Sequence, residues 1–229
     1  AITKGIQKVL YTENRIFLAS HAATGLWELG LRNAVTQNSK VLHTINGAFS
    51  NKWSTVSDKC GFDFSTVNKT WGTGIHPEDI DKELAIGDYD VFCMVHNETS
   101  TGVMSNLEAI SELLKSKYPD VIWMVDAVSS MAGSKIEVDK LGIDFIFAST
   151  QKAWGLPAGF SVCAVSDKIY QRSKLLSNKG YYFPATIIEC ENHNLPTAEN
   201  ELFGPILSVM KFEKEDEVTD GSNGDIRYR

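Results

Sequence analysis

The sequence predicts an α/β fold, a mostly parallel sheet sandwiched by helices. Short apolar runs alternate with amphipathic stretches along the chain, and several of those runs are apolar almost throughout. Alternating strands and crossover helices favour parallel pairing. A strand covered on both faces also loses the in–out alternation of a half-exposed one.

Taken in order, RIFLAS (15–20) reads as a strand, followed by a helix over about 24–35. KVLHTI (40–45) is a second strand, and a helical stretch then runs through Trp53 to about Lys59. FDFSTV (62–67) is a third. Pro77 opens a helix with Glu78 and Asp79 beside it, because proline suits the first helical position and acids suit the positive end of the helix dipole. VFCMVH (91–96) is nearly all apolar. Leu107, Ile110, Leu113 and Leu114 mark the apolar face of a helix ending near Tyr118, where Pro119 stops it. VIWMVD (121–126), FIFAS (145–149) and FSVCAV (160–165) complete the buried strands, and TDGSNGDIRYR reads as a polar tail.

A chain of 229 residues can bury one substantial core, so one large domain, or one plus a fragment, is expected. With 43% hydrophobic and 22% charged residues, it has the profile of a soluble globular protein. A net charge of −7 argues against nucleic acid as a partner. No apolar run approaches the ~20 residues that span a bilayer, so no membrane association is expected. The opening AITKGIQKVLYTENR lacks a signal-peptide core, which makes the cytoplasm the expected location. Cys60, Cys93, Cys163 and Cys190 form no C-x-x-C pair, and Cys93 and Cys163 read as buried free thiols. The five histidines lack metal-ligand spacing, so no metal is expected.

Three polar groups fall at strand ends: Thr99 soon after 91–96, Asp126 closing 121–126, and Lys152 just after 145–149. In parallel strands these side chains converge on one rim, where ligands of such sheets gather. A lysine there is expected to be buried, and burial favours the neutral amine that Schiff-base chemistry needs. An aspartate after five apolar residues is oddly placed without a cationic partner. Singly, each also fits a blander role, the aspartate as a helix cap or ion-pair partner and the lysine as a surface residue.

The stretches HNETSTGV (96–103), MVDAVSSMAG (124–133) and STQKAWGLPAG (149–159) carry a resemblance. Together they resemble the signature of class V aminotransferases, pyridoxal 5′-phosphate (PLP) enzymes of fold type I. AATGLWE (22–28) and INGAFSNKW (45–53) match in order upstream, and the resemblance covers about residues 15–183. It implies that residues 1–179 are the PLP-binding large domain. Lys152 resembles the lysine that forms the imine and later carries a proton, and Asp126 the carboxylate paired with the pyridine nitrogen. Thr99 resembles the hydroxyl that bonds the phenolic oxygen. Phe49 stands where the family stacks an aromatic ring, with Val128 packing on the other ring face. Ala23, Thr24 and Gln151 match phosphate contacts, and the helix opening at 22–25 suits a dianion. Thr24 also reads as an N-cap. His21 and His96 each read either as facing the ligand or as structural histidines. The family further implies a homodimer, and small amino acids (alanine, serine or phosphoserine-like) with 2-oxo acids as substrates.

Other features depart from that pattern. A C-terminal small domain and its substrate-binding arginine are expected to be missing. Of the arginines after Lys152, Arg227 and Arg229 sit in the tail, and Arg172 belongs to an amphipathic stretch over 167–175 with its head in water. Residues 180–229 read as a separate segment, in which 180–218 resembles a piece of an aldehyde dehydrogenase. Its E-x-F-G-P stretch is Glu201, Phe203, Gly204 and Pro205. Three readings stay open: an aminotransferase, a PLP-dependent lyase or desulfurase, and a catalytically inactive fragment. The desulfurase version needs a mobile-loop cysteine beyond the lysine, where Cys163 and Cys190 are the only candidates.

Overall fold

The computed structural model describes residues 2–177 and two further strands, Thr186–Cys190 and Ile206–Met210. The chain divides into two compact units, Ala1–Lys179 and Gly180–Arg229. The Glu201–Pro205 stretch, Arg227 and Arg229 lie outside the described residues.

The first unit opens with α1 (Ile2–Leu10), β1 (Arg15–Ala19), α2 (Ala23–Ala34), β2 (Lys40–Ile45), α3 (Ala48–Lys59) and β3 (Asp63–Asn68). It continues with α4 (Pro77–Ile86), β4 (Val91–Val95), and a hairpin of β5 (Asn97–Glu98) and β6 (Val103–Met104). After the hairpin come α5 (Leu107–Lys117), β7 (Ile122–Asp126), α6 (Val138–Leu141), β8 (Phe145–Ser149), β9 (Ser161–Val165) and α7 (Asp167–Ser177). In the second unit, β10 (Thr186–Cys190) and β11 (Ile206–Met210) pair in parallel.

The sheet of the first unit runs β1-β9-β8-β7-β4-β2-β3. Strands β8, β7, β4, β2 and β3 are mutually parallel, while β9 is antiparallel to both its neighbours. Two antiparallel steps restore direction, so β1 points the same way as β8. The start of α2 therefore reaches the rim where β4, β7 and β8 end.

Side-chain alternation explains why the central strands are apolar throughout. Val91, Cys93 and Val95 join one core with Leu26, Trp27, Leu31 and Trp53 from α2 and α3. Phe92 and Met94 join the other, with Ile80, Leu107 and Ile110 from α4 and α5. A parallel strand between two helix layers has no wet face on which to place a polar residue.

Local signals behave as their chemistry dictates. Pro77 sits at the start of α4, and the His76 N–H donates to Asp79 at 3.1 Å. Asn106 caps α5 by accepting from the Ala109 N–H at 3.0 Å, and that helix ends at Tyr118. Three features escape periodicity. Helix α1 stands where the sequence shows only the absence of a signal core, and it is held by buried Ile6 and Leu10. The β5–β6 hairpin is two residues a side, and α6 is a single turn. The expected Arg172 head in water is also corrected: its guanidinium donates to the Ala34 carbonyl at 3.2 Å and lies 3.8 Å from Asp90. Backbone acceptors at the end of α2 draw it in.

Phe147, fully buried on β8, meets the Trp53 ring edge-on at 5.4 Å. Phe147→Ala is expected to lower stability by about 3–5 kcal/mol, read as a fall in the urea midpoint at unchanged slope.

Candidate active site

At the carboxyl ends of β4, β7 and β8 lies a cavity of about 140 Å³. Asp126 closes β7, in register with Val95 of β4 and Phe147 of β8. Lys152 and Gln151 sit in the turn after β8, where the Gly155 N–H donates to the Lys152 carbonyl at 2.9 Å. Thr99 occupies the hairpin turn, which left-handed Gly102 (φ 72°) closes. Ala23 and Thr24 open α2, Phe49 is in the first turn of α3, and Val128 follows Asp126 by two residues. All eight of these sequence candidates line the cavity. A hollow of about 230 Å³ around Tyr89 and Tyr118 lies by the amino ends of β4 and β7 and holds none of them.

Asp126 is the electrostatic centre. It is 3% exposed and has no ion-pair partner among the described residues. Burial pushes its carboxyl up to about 6, against the Val128 N–H and the Trp27 indole N–H, which donate to it at 2.9 and 2.7 Å; the nearby Glu98 adds a smaller upward push. The expected cationic partner is thus replaced by two neutral donors. Trp27 is a residue that sequence reasoning missed: it stands within AATGLWE, but a tryptophan on an apolar helix face gives no sign of what its ring nitrogen bonds. Its own ring stacks on Trp53 at 6.4 Å.

Glu98 was missed as well. It is wholly buried, and burial alone would raise its carboxyl. Hydrogen bonds from Ser50, Ser100 and Phe49 instead hold it below the ordinary glutamate range. Asn97 ties the hairpin to the loop after Asp126, donating to Ser129 Oγ at 2.8 Å and accepting from the same hydroxyl through its carbonyl at 2.9 Å.

Two expectations, those for Lys152 and Thr24, are corrected. Lys152 is exposed rather than buried, because the turn carries it past the strand end to the cavity mouth. It is a candidate by position and not by burial. Thr24 is not the N-cap: the cap is Ala22, with no side-chain bond, and Thr24 lies inside the first turn. His96 is structural. Its Nδ1 pairs with Ser130 Oγ at 2.8 Å, and burial lowers its pKa to about 4. His21 is exposed, with Nδ1 2.7 Å from the Ala22 carbonyl, and does not line the cavity. Cys163 is 2% exposed within β9, and burial pushes its thiol up to about 12, the reverse of an activated nucleophile. Cys93 is buried and free as well. Among the described residues no three His, Cys, Asp or Glu side chains cluster as metal ligands, and no helix is long and apolar enough to cross a membrane.

A mostly parallel sheet between helices, with a cavity at its carboxyl rim, is the large-domain architecture of fold-type I PLP enzymes. The chain belongs to the class V aminotransferases, a PLP-dependent family whose profile matches residues 6–194. A second match, to the aldehyde dehydrogenase family, covers residues 166–226. The serine–glyoxylate aminotransferase of Methylorubrum extorquens is 36% identical over 160 residues, covering 69% of this chain and 40% of that protein. The L-aspartate–glyoxylate aminotransferase of Paracoccus denitrificans is 33% identical over 170 residues, with coverage of 72% and 43%. The crystal structure of alanine–glyoxylate aminotransferase from Nostoc sp. superposes with a TM-score of 0.71 at 29% identity, covering 76% of this chain and 46% of that one. The chain therefore spans less than half the length of each of these proteins.

A carboxyl raised to about 6 in the folded state, against about 3.9 in the unfolded chain, binds more protons folded than unfolded between those values. Folding stability then falls as pH rises through that window, and the full cost remains above it. Asp126→Asn removes that pH-dependent cost but turns one accepting oxygen into an amide that faces the Trp27 or Val128 N–H. Its stability relative to the parent is therefore expected to rise by about 1–1.5 kcal/mol between pH 5 and pH 8. Urea unfolding of both proteins at the two pH values checks this.

Proposed function

We propose that this chain is the cofactor-binding part of a PLP-dependent aminotransferase, moving an amino group between a small amino acid and a 2-oxo acid. The observation that carries the reading is the meeting of Asp126, Lys152 and the first turn of α2 in one cavity. Residues 1–179 would be the working domain and 180–229 an appended segment, in keeping with the division of the chain into two units.

The cavity fits the cofactor for a physical reason. A fully buried carboxylate without a cation is costly unless the ligand supplies one, and a protonated pyridine nitrogen does so. When bound, PLP supplies an electron sink for the electrons of a substrate Cα–H bond. Asp126, aimed by Trp27 and Val128, would keep the pyridine nitrogen protonated. Free N–H groups and the positive dipole end of α2, with Thr24 and Gln151, suit the phosphate dianion. Phe49 and Val128 would pack on the ring, and the Thr99 hydroxyl would bond its phenolic oxygen. Lys152 would form the covalent link and, once released by substrate, carry the proton to and from Cα.

The names of the relatives support alanine or serine-like donors and glyoxylate-like acceptors. The exposed mouth, where Lys152 and Thr99 stand open, supports a homodimer whose second copy covers it. An acidic chain with no membrane-spanning helix among its described residues supports a cytoplasmic setting.

A second reading, cofactor binding without turnover, has its own observation. Of the described arginines beyond Lys152, only Arg172 exists, and it is engaged with Ala34 and Asp90, the latter at the amino end of β4. Among the described residues no arginine lines the cavity to meet a substrate carboxylate.

Purified protein mixed with PLP is expected to show a visible absorption band that borohydride removes, with the added mass recovered on the Lys152 peptide. Lys152→Ala should lose both signals, and Asp126→Ala should weaken binding about 10–100-fold, the loss of one charge-assisted bond. No modified Lys152 would end the reading. Serine or alanine with glyoxylate then separates the two versions, since binding without transamination favours the second.

A further inference from the structure

Glu98 is the second carboxylate beside the cavity, and five hydrogen bonds converge on it. At Oε1 it accepts from the Phe49 N–H (3.2 Å), the Ser100 N–H (3.2 Å) and the Ser100 hydroxyl (2.7 Å). At Oε2 it accepts from the Ser50 N–H and the Ser50 hydroxyl, both at 2.9 Å. Phe49 and Ser50 belong to the first turn of α3, while Ser100 follows Thr99 in the hairpin turn. The Ala48 N–H also donates to Ser100 Oγ at 2.9 Å, so the two segments are laced from both sides.

The backbone leaves space for this clasp only because position 47 is glycine. A Cβ there would stand 2.2 Å from Glu98 Cγ and 2.5 Å from its Cδ. All five partners are donors, so an acceptor-only carboxylate satisfies the whole set. A glutamine would turn one oxygen into an amide that faces at least one of these backbone N–H groups and leaves it unpaired.

We propose that Glu98 is a positioning residue that clamps the first turn of α3 to the hairpin turn, holding Phe49 and Thr99 in place on the cavity wall. The proposal rests on the cofactor reading above. It assigns Glu98 no contact with the ligand; its effect passes through the two residues it fixes, and loosening it costs the ligand its preformed pocket.

The test measures PLP dissociation constants, the induced circular dichroism of the bound cofactor and melting temperatures. The parent protein is compared with Glu98→Gln, Ser100→Ala, Phe49→Leu and the Glu98→Gln/Phe49→Leu double variant. Glu98→Gln is expected to weaken binding about tenfold and shrink the induced signal, and Ser100→Ala to act in the same direction by a smaller factor. Because Glu98 acts through Phe49, the double variant should lose less than the product of the single losses. A lowered melting temperature with unchanged binding and induced signal in Glu98→Gln would overturn the clamp, and so would single effects that multiply in the double. Should Glu98→Gln fail to fold, unchanged binding in Ser100→Ala overturns it. A parent protein that binds no PLP removes the cofactor reading, and the clamp falls with it.

Discussion

A buried carboxylate at the end of the central strand, with no ion-pair partner among the described residues, is the constraint from which the rest of this molecule is best understood. Asp126 is 3% exposed, and two neutral donors hold it. Such a group weakens the fold that contains it, because desolvation of the charged form is repaid only in part by neutral hydrogen bonds. Folds tolerate that kind of local cost mainly where a ligand completes the balance. Under the proposed reading, the surrounding architecture holds a few groups around that carboxylate before any ligand arrives.

Two carboxylates near one cavity meet opposite fates, and their environments explain why. Glu98 collects five donors and stays below its ordinary range; Asp126 collects two and rises. More donors and a smaller desolvation cost keep Glu98 low, while fewer donors, deeper desolvation and the charge of Glu98 raise Asp126. The first therefore behaves as a fixed anion that organises backbone, and the second as a responsive one suited to a cationic partner.

Much of this was legible in the sequence because burial on both faces leaves a strong signature. Strands β4, β7 and β8 are apolar up to their last residues, and polar residues at or just past the ends of such runs, here Asp126, Thr99 and Lys152, mark a rim. The rest was illegible for equally physical reasons. Periodicity reports which side of a helix is apolar, not which atom of Trp27 meets an acceptor. A two-residue hairpin such as β5–β6 is too short to show a period. Glu98 sits beside Thr99 in the same motif, yet its role depends on Ser50 and Gly47, residues distant in sequence. The exposure of Lys152 depends on the path of a turn, and Arg172 finds backbone carbonyl and carboxylate partners that no local pattern announces.

The antiparallel strand β9 has a consequence for how the molecule is made. Arg15 pairs with Val165, and Ala19 with Ser161, so the strand that delivers the start of α2 is docked by one of the last strands of its sheet. Closing so long a loop is entropically expensive and slow. During synthesis β1, which leads into the start of α2, lacks its sheet partner until β9 has emerged from the ribosome. The cavity can thus be complete only in a chain whose sheet is already whole, and no shorter nascent fragment can present it.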